Sequence, residues 1–326
     1  NMENSIYLYS KDKVVVERLH ICTWDFKDGT KTKVELGFEI DNTQPSDSDK
    51  LRLSVHLPFE VESSQIKSLH ETLCNEKYSR YIFNDVIASS DMIGGDAKRG
   101  KLLHFKERGC LAIIPANFTV NSADASQIDF IIDTKNIDAN VYIRVLIATD
   151  LTTIAETRSG ITKKSFIFDL KVNERRNIPD DLIMKVNADE FVDIKNVFVF
   201  HVTPDDYDLD FYDSNRFKSL RMLEKDIFAG YTGIKELQED DFVIIFLKQS
   251  RNTSYSFYTT FSYEIIGNNQ ILLAIGTNII CSFLFALPSF RSNLSTEKAW
   301  YAQIPCEWWI SLAILMLVGF SILRRK

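Results

Sequence analysis

The sequence contains few cysteines, and their positions do not suggest a metal or redox centre. Five cysteines are scattered over 326 residues, and no C-x-x-C pair occurs among them. A zinc ribbon or a dithiol redox motif needs such close pairs. We therefore interpret the cysteines as reduced structural thiols, as is usual for a cytosolic compartment.

The sequence also lacks the common signatures of catalysis. Its five histidines show no H-x-x-H or H-E-x-x-H spacing, and no G-x-S-x-G occurs. The nearest fragment of a nuclease site is the pair Asp169 and Lys171, which is weak by itself. The sequence therefore predicts a protein that is not an enzyme and that has no metal site and no cofactor.

An excess of positive charge is absent as well. The formal net charge is −7, which argues against a protein that coats nucleic acid non-specifically, because such binding depends on a basic surface. A small basic pocket remains compatible with this charge. The N-terminal stretch NMENSIYLYSKDK has no apolar run, so it is not expected to be a secretory signal.

Two uncharged apolar runs lie near the C-terminus. The first reads ILLAIGTNIICSFLFAL and the second WWISLAILMLVGFSIL, and the basic residues RRK follow the second. A bilayer core about 30 Å thick needs about 20 helical residues. We predict a two-helix transmembrane hairpin over residues 265–326, with spans at about 268–288 and 303–323.

The basic tail sets the expected orientation of this hairpin. Positive residues next to a span tend to stay in the cytoplasm. The sequence thus predicts a multi-pass protein of the cell inner membrane, whose N-terminal region and C-terminus are both cytoplasmic.

The first predicted span carries small and polar residues in its middle. Such residues face protein or water rather than lipid. Two interpretations remain open, helix packing within an oligomer and the lining of a pore. The residues concerned are Thr277, Asn278, Cys281 and Ser282.

The region before residue 265 has the two-residue period of β-strands. Segments such as KVELGFEI, VYIRVLIA and NVFVFHV alternate well, and FVIIFL suggests a buried strand. Helices are expected at 64–83 and from Ser214, with Phe217, Leu220 and Leu223 on the apolar side of the second. We predict a β-rich α+β region with lobes at 1–150 and 151–264.

The stretch GGDAKRGKLL contains the spacing G-x-x-x-x-G-K of a phosphate-binding loop. The position after Lys101 is Leu102 rather than Ser or Thr, and LLHFKERGCLAII predicts a hairpin rather than a helix. A nucleotide-hydrolase loop is therefore not expected. The cations Lys98, Arg99 and Lys101 remain candidates for binding an anion, beside the alternative of a solvated loop.

A second basic group lies on the polar side of the predicted helix from Ser214. Arg216 and Arg221 are its candidate ligand-binding residues, and a solvated helix face is again the alternative. Aromatic residues could stack nucleic-acid bases beside such cations.

In architecture the chain resembles the transmembrane effectors of bacterial anti-phage signalling systems, particularly the Hailong type. A β-rich module of roughly 265 residues followed by ILLAIGTNIICSFLFAL and WWISLAILMLVGFSIL carries the resemblance. The resemblance implies an ion channel that is gated by DNA oligomers made by a partner nucleotidyltransferase. No site residue follows from it.

The expected function combines these elements. We expect a homo-oligomer, with a tetramer as one subunit number, in contact with the lipid bilayer and responding to a nucleotide or oligonucleotide in anti-phage defence. The alternatives are a membrane-anchored protein-interaction scaffold and, with less support, a membrane-bound nuclease or hydrolase.

Overall fold

The structure is a computed structural model. It describes residues 5–26, 32–43, 49–149, 154–159, 163–187, 190–238, 240–250, 252–264 and 268–292, together with residues 309, 312, 313 and 316. The chain divides into two compact units. One comprises residues 1–158 and 165–263, and the other comprises residues 159–164 and 264–326.

The first unit is built mainly of β-strands. The strands before residue 150 are β1 (Ser5–Tyr9), β2 (Val15–Trp24), β3 (Lys33–Ile40), β4 (Lys50–His56), β5 (Ile66–Ser68), β6 (Ile87–Met92), β7 (Lys101–Phe105), β8 (Cys110–Ile113), β9 (Asn117–Val120), β10 (Gln127–Asp133) and β11 (Asn140–Ala148). The later strands are β12 (Ile154–Ser159), β13 (Lys163–Val172), β14 (Asp193–Ile194), β15 (Asn196–Pro204), β16 (Tyr207–Tyr212), β17 (Phe217–Met222), β18 (Phe242–Ser250) and β19 (Tyr255–Glu264).

Helices are short and few in the described part of this unit. They are α1 (His70–Leu73), α2 (Glu76–Phe83), α3 (Asp180–Lys185) and α4 (Lys225–Thr232), and α5 (Asn268–Ser292) belongs to the second unit. Helix α2 begins at Asn75, whose side chain accepts a hydrogen bond from the Lys77 amide at 3.0 Å. It ends at Asn84, which has the left-handed conformation that asparagine tolerates.

The described strands form two sheets. The smaller has eight strands in the order β16-β19-β13-β1-β4-β10-β9, with β12 beside β13. The larger has eleven strands in the order β17-β18-β15-β2-β3-β11-β8-β7-β6, with β14 beside β2 and β5 beside β11. Strands from both sides of residue 150 pair directly, as β2 does with β15. The two-lobe division at residue 150 stays a prediction.

The main hydrophobic core lies between the two sheets. Aliphatic residues alternate inward on both, and the rings of Phe38 and Phe130 meet across the interface at 5.5 Å. Full burial of one such side chain contributes about 1.5–3 kcal/mol. This packing fixes which face of each strand points away from the core.

The opposite face of the larger sheet is covered by helices α1, α2 and α4. Trp24, Tyr142 and Leu146 pack there with Phe83 and Phe228 as a second hydrophobic cluster. This face also holds buried charge, because Glu35 and Arg144 point into it from adjacent strands. The larger sheet is therefore buried on both sides over much of its area.

The prediction of a helix from Ser214 is wrong over its first part. Phe217–Met222 is strand β17, which pairs antiparallel with β18, and only Lys225–Thr232 is helical. The predicted helix at 64–83 is also broken, because β5 pairs with β11 before α1 begins. In both places pairing with a neighbouring strand outweighs the helical spacing of apolar residues.

The predicted transmembrane hairpin is contradicted. Within the residues that the structure describes, no helix is both long and apolar enough to cross a membrane. Helix α5 is long, but it starts with Asn268, Asn269 and Gln270 and has Thr277 and Asn278 in its middle. The inner-membrane, two-span assignment is corrected accordingly, and with it the characterisation as a membrane protein and an ion channel.

The second predicted span, 303–323, lies largely outside the described residues. Only Trp309, Leu312, Ala313 and Met316 are described there, and all four are helical and exposed.

Candidate functional site

The candidate site lies on the helix-covered face of the larger sheet, where β2, β15, β18 and β17 are adjacent. Alternation sends Val197 and Val199 of β15 into the core between the sheets and Phe198 and Phe200 to the opposite face. In the same way Ile245 faces the core, while its neighbour Phe246 faces the site. The site is therefore a direct consequence of how the core orients these strands.

Three phenylalanine rings form a stacked row on this face. The rings of Phe200 and Phe246 lie 4.7 Å apart at 11°, and those of Phe198 and Phe246 lie 6.0 Å apart at 7°. Phe200 and Phe246 are direct cross-strand partners. All three are only partly buried. We call these three residues the aromatic row.

The aromatic row borders a cavity of about 870 Å³ that is rich in cations. The cations come from β2, the end of α2, the turn between β7 and β8, and β17. They are Arg18, Arg80, Arg108, Lys218 and Arg221. Only one carboxylate, Glu224, lines the cavity with them in the described part of the chain.

Arg108 is the most enclosed of these cations. Its guanidinium lies over the rings of Phe83 at 4.8 Å and Phe105 at 5.3 Å. Nη2 donates to Glu39, whereas Nη1 is buried without a hydrogen-bond partner in the described residues. Since a buried donor without an acceptor costs free energy, Nη1 is a ready donor for a bound anion.

Arg18 shares the same carboxylate. Its Nε lies 3.5 Å from Glu39 Oε2, and its guanidinium lies 5.9 Å from the Phe198 ring centre. Burial, and then the charge of Arg108, lower the pKa of Arg18, while Glu39 and Glu17 act in the opposite direction. Two guanidinium groups thus share Glu39, which leaves positive charge uncompensated at the cavity wall.

The cavity rim is less restrained. Arg221 donates to Glu224 three residues further on. Arg80 and Lys218 are exposed, and neither has an ion-pair partner among the described residues. The rim can therefore offer two or three mobile cations to a ligand.

His20 closes the floor of the cavity as a neutral ring. Burial first, and then the nearby charges of Arg144, Arg108 and Arg18, hold its pKa well below the usual range. Its Nδ1 lies 2.9 Å from the Tyr142 hydroxyl, and its ring meets Phe198 edge-on at 5.1 Å. His20 therefore extends the aromatic surface without adding charge.

A buried polar network continues from His20 beneath the helices. Tyr142 accepts from Arg144 Nη1 at 3.2 Å, and Arg144 Nε donates to Glu35 at 2.6 Å. Trp24 and Tyr231 also donate to Glu35, at 2.7 and 3.0 Å. Burial alone would lower the pKa of Arg144, but Glu35 keeps it well above its ordinary value. The guanidinium of Arg144 is thus charged in the core.

Gly37 makes room for this network. A Cβ atom at Gly37 would stand 2.1 Å from the Tyr142 hydroxyl oxygen, which no relaxed structure allows. The glycine between Glu35 and Glu39 on β3 therefore serves side-chain packing rather than a turn.

The structure places only one of the predicted ligand-binding residues at the cavity, Arg221. Arg216 instead donates to the Ser256 carbonyl and pairs with Asp213 at 3.3 Å. These contacts use Arg216 to tie the turn after β16 to the strand β19.

The glycine-rich loop lies apart from the residues that line the cavity. Arg99 donates to the Lys135 carbonyl at 2.8 Å, Lys101 lies 3.5 Å from Glu76, and Lys98 is exposed. Gly100 has φ +111°, and a Cβ there would stand 2.0 Å from the Ile113 carbonyl oxygen. This glycine is needed for strand packing.

The predicted pore or packing residues lie on α5. Thr277, Asn278, Cys281 and Ser282 are all exposed, and the two hydroxyls donate to the carbonyls of Leu273 and Asn278. Their predicted role in lining a pore or in helix packing is not tested by these contacts.

One group of possible metal ligands exists among the described residues. His56, Asp124 and Asp181 place one ligand atom each within 4.8 Å of one another. The Lys185 ammonium lies 3.3 Å from Asp124 and 4.0 Å from Asp181. A cation of the protein itself thus already offsets part of the negative charge of these carboxylates.

Sequence comparison adds no assignment to this geometry. No protein-family model matches the chain, and no curated protein matches it significantly.

Proposed function

We propose that the first unit binds a nucleotide or a short oligonucleotide in the cavity beside the aromatic row. The observation that carries this proposal is the combination of a partly exposed row of phenyl rings with five cations and one carboxylate around a single cavity. The chain as a whole is acidic, so this local excess of positive charge stands out.

The two halves of such a ligand match the two halves of the cavity. A planar base can continue the row of Phe198, Phe246 and Phe200, since stacking on aromatic side chains is tolerant of sequence. Phosphate oxygens can accept from Arg108 Nη1 and from the rim cations Lys218 and Arg221. The volume lies within the roughly 300–1,000 Å³ that is typical of small-ligand sites.

Glu224 gives the site a built-in competitor. Its carboxylate accepts from Arg221 in the ligand-free molecule. A phosphate that binds Arg221 must displace this contact, which is exposed and therefore weak. The ligand thus gains a cation at small cost.

Removal of two rim cations tests the proposal. The double variant Lys218→Ala/Arg221→Ala should bind a fluorescently labelled, mixed-sequence single-stranded DNA about tenfold more weakly, because two phosphate contacts are lost. Fluorescence anisotropy across a salt series measures both the affinity and the slope of log K against log salt. That slope should become shallower by about 1.4, since each phosphate contact with a single strand contributes about 0.7.

The matched control is Lys98→Ala/Lys101→Ala, which removes the same charge from the glycine-rich loop. It should bind as the unmodified protein does. Equal weakening by both double variants would indicate general electrostatics rather than this cavity. Competition by an unlabelled mononucleotide separates the two ligand classes. A mononucleotide should displace the labelled DNA from a site for mononucleotides, and it should not displace the DNA from a site for oligonucleotides.

A second candidate function, protein interaction, is favoured by an apolar sheet edge. Strands β16 and β17 are terminal in the strand orders of their sheets within the described residues. Phe211, Tyr212, Leu220 and Met222 on them are 42–54% exposed. Terminal strands with exposed apolar side chains are typical sites of pairing with another chain. We propose a second copy of this chain as the partner.

A charge on this edge should weaken self-association. Leu220→Lys should shift the mass measured by light scattering toward the monomer at a concentration where the unmodified protein associates. Met184→Lys is the control, because Met184 is 83% exposed but lies on α3, away from this edge. An unchanged mass for Leu220→Lys, or an equal shift for the control, would refute pairing at β17.

A further inference from the structure

A line of three reactive side chains crosses the other end of the larger sheet. Strands β6, β7 and β8 are consecutive antiparallel neighbours. Asp91 lies on β6, His104 on β7 and Cys110 at the start of β8, and His104 and Cys110 are direct cross-strand partners. None of the three lines the cavity described above.

The contacts in this line are those of a base held between a nucleophile and an acid. His104 Nδ1 lies 3.0 Å from Cys110 Sγ, and His104 Nε2 lies 3.0 Å from Asp91 Oδ2. When Nε2–H donates a hydrogen bond to the Asp91 carboxylate, the tautomer that results has its lone pair on Nδ1. That lone pair faces the thiol, which is the arrangement that activates a cysteine.

The strands that carry these side chains are well packed, and the Cys110 thiol is accessible. On the opposite face of the same strands, Leu103, Phe105 and Leu111 are buried in the cluster beneath the helices. The strands are thus held firmly, while Cys110 is exposed and the His104 side chain is 32% exposed. The other described cysteines of the first unit differ, because Cys22 is buried and Cys74 is partly buried.

We propose that Cys110 is a nucleophilic thiol that undergoes exchange with low-molecular-weight disulfides, with His104 as its proton acceptor. Exchange of this kind needs an accessible thiolate and no enclosed cleft. An exposed Cys110 on a rigid strand pair meets that requirement. This site is independent of the nucleotide cavity.

The exchange step balances without any further reactant. The Cys110 S–H bond breaks and its proton passes to His104 Nδ1. The thiolate attacks one sulfur of the disulfide R–S–S–R, forming the Cys110–S–S–R bond as the original S–S bond breaks. The leaving thiolate R–S⁻ takes the proton from His104. Cys110 is oxidised, and one half of the small disulfide is reduced to a thiol.

The test measures exchange rates at individual cysteines of the full-length protein. The probe is hydroxyethyl disulfide, which is uncharged, and adducts are located by peptide mass spectrometry. Cys281 serves as the reference within the same molecule, because it is exposed but lies on α5. Cys110 should react roughly threefold faster than Cys281, and His104→Gln should remove that advantage.

The expected size follows from two opposing effects. An ordinary thiol is only a few per cent thiolate at neutral pH, so transfer of the proton to His104 during attack raises the fraction of thiol that can react. A stabilised thiolate is also a weaker nucleophile, with a Brønsted coefficient of about 0.4–0.5, which cancels much of this gain. An advantage of roughly threefold remains.

Two outcomes would overturn the proposal. One is a Cys110 rate no higher than that of Cys281 in the unmodified protein, which needs no variant at all. The other is an undiminished Cys110 rate in His104→Gln. An unchanged Cys281 rate in that variant shows that its effect is confined to the residue that His104 contacts.

Discussion

Replacing Glu35 by alanine should lower the free energy of unfolding by about 3–5 kcal/mol. Glu35 is fully buried and is the sole carboxylate that receives Arg144 Nε in the described residues, at 2.6 Å. Without Glu35, the Arg144 charge stays in the core unpaired, and Trp24 and Tyr231 lose their acceptor. Urea unfolding followed by circular dichroism measures this change.

Two further variants distinguish the loss of the Glu35 contacts from the cost of leaving Arg144 buried without a partner. The double variant Glu35→Leu/Arg144→Met replaces both charges by apolar groups, so it should be more stable than Glu35→Ala. Asp241→Asn removes the exposed contact with Lys225 and should leave the unfolding midpoint nearly unchanged. If Glu35→Ala costs less than about 1 kcal/mol, or if the double variant is no better, Arg144 is not held as a buried ion.

The buried pair of Glu35 and Arg144 also explains why the strands could be predicted from the sequence. The prediction of KVELGFEI as a strand is confirmed by β3, Lys33–Ile40, and VYIRVLIA and NVFVFHV correspond to β11 and β15. Although the larger sheet is buried on both faces, the face toward the smaller sheet is mostly apolar. The other face uses Glu35, Glu39 and Arg144, so alternation between apolar and polar residues survives in the sequence.

The hairpin at LLHFKERGCLAII was also predicted and is confirmed by β7 and β8. Its register was not predicted, because a shift of one residue changes every cross-strand partner. His104 faces Cys110 only in the register that the structure shows. The Cys–His pair therefore could not be recognised from spacing alone.

Strand β17 was predicted as a helix for a similar reason. Phe217, Leu220 and Leu223 fit the three-residue spacing of a helix face, and an edge strand alternates weakly because little of it is buried. The nine-residue neighbour β18 pairs with it and decides its conformation. Local pattern alone did not contain this information.

Only some of the residues that line the cavity could be predicted from the sequence. Arg221 was a candidate from the sequence, whereas Arg18, Arg80 and Arg108 come from elements that are distant in the chain. Sheet order brings β2 beside β15, and only then do these cations meet the aromatic row. The sequence signal that remained was F-x-F on β15 opposite the single Phe246 of β18.

The prediction of a transmembrane span in the first apolar run is wrong because it relied mainly on the absence of charged residues. The residues in the middle of the first run, such as Thr277 and Asn278, were interpreted as a pore or a packing face within a membrane. The described helix α5 does not meet the requirement of sustained apolar length.

Acidification should destabilise the first unit through His201. This ring is fully buried, stacks on Phe168 at 4.3 Å, and leaves Nε2 without a partner in the described residues. Although Asp25 Oδ2 lies 3.5 Å from Nδ1, burial dominates and lowers the pKa of His201 to about 3. The folded protein therefore keeps His201 neutral where an unfolded chain protonates it.

The direction of the pH effect follows from that difference. Above pH about 6.5, the ordinary pKa of histidine, both states are neutral and His201 costs nothing. As the pH falls from about 6.5 toward about 3, the unfolded state binds a proton that the folded state refuses. Each pH unit removes about 1.4 kcal/mol, so His201 lowers the free energy of unfolding by about 2.7 kcal/mol at pH about 4.5.

A pair of variants isolates this residue from the other titrating groups. His201→Phe preserves the aromatic packing but cannot be protonated, so its loss of stability between pH about 7.5 and 4.5 should be about 2.7 kcal/mol smaller than in the unmodified protein. Thr23→Val also removes the contact at Nδ1, 2.7 Å in the structure, but keeps the imidazole. It should therefore retain the full pH dependence in urea unfolding at the two pH values. The same pH dependence in His201→Phe as in the unmodified protein would mean that the folded state protonates His201 as readily as the unfolded chain does, which the complete burial of the ring opposes.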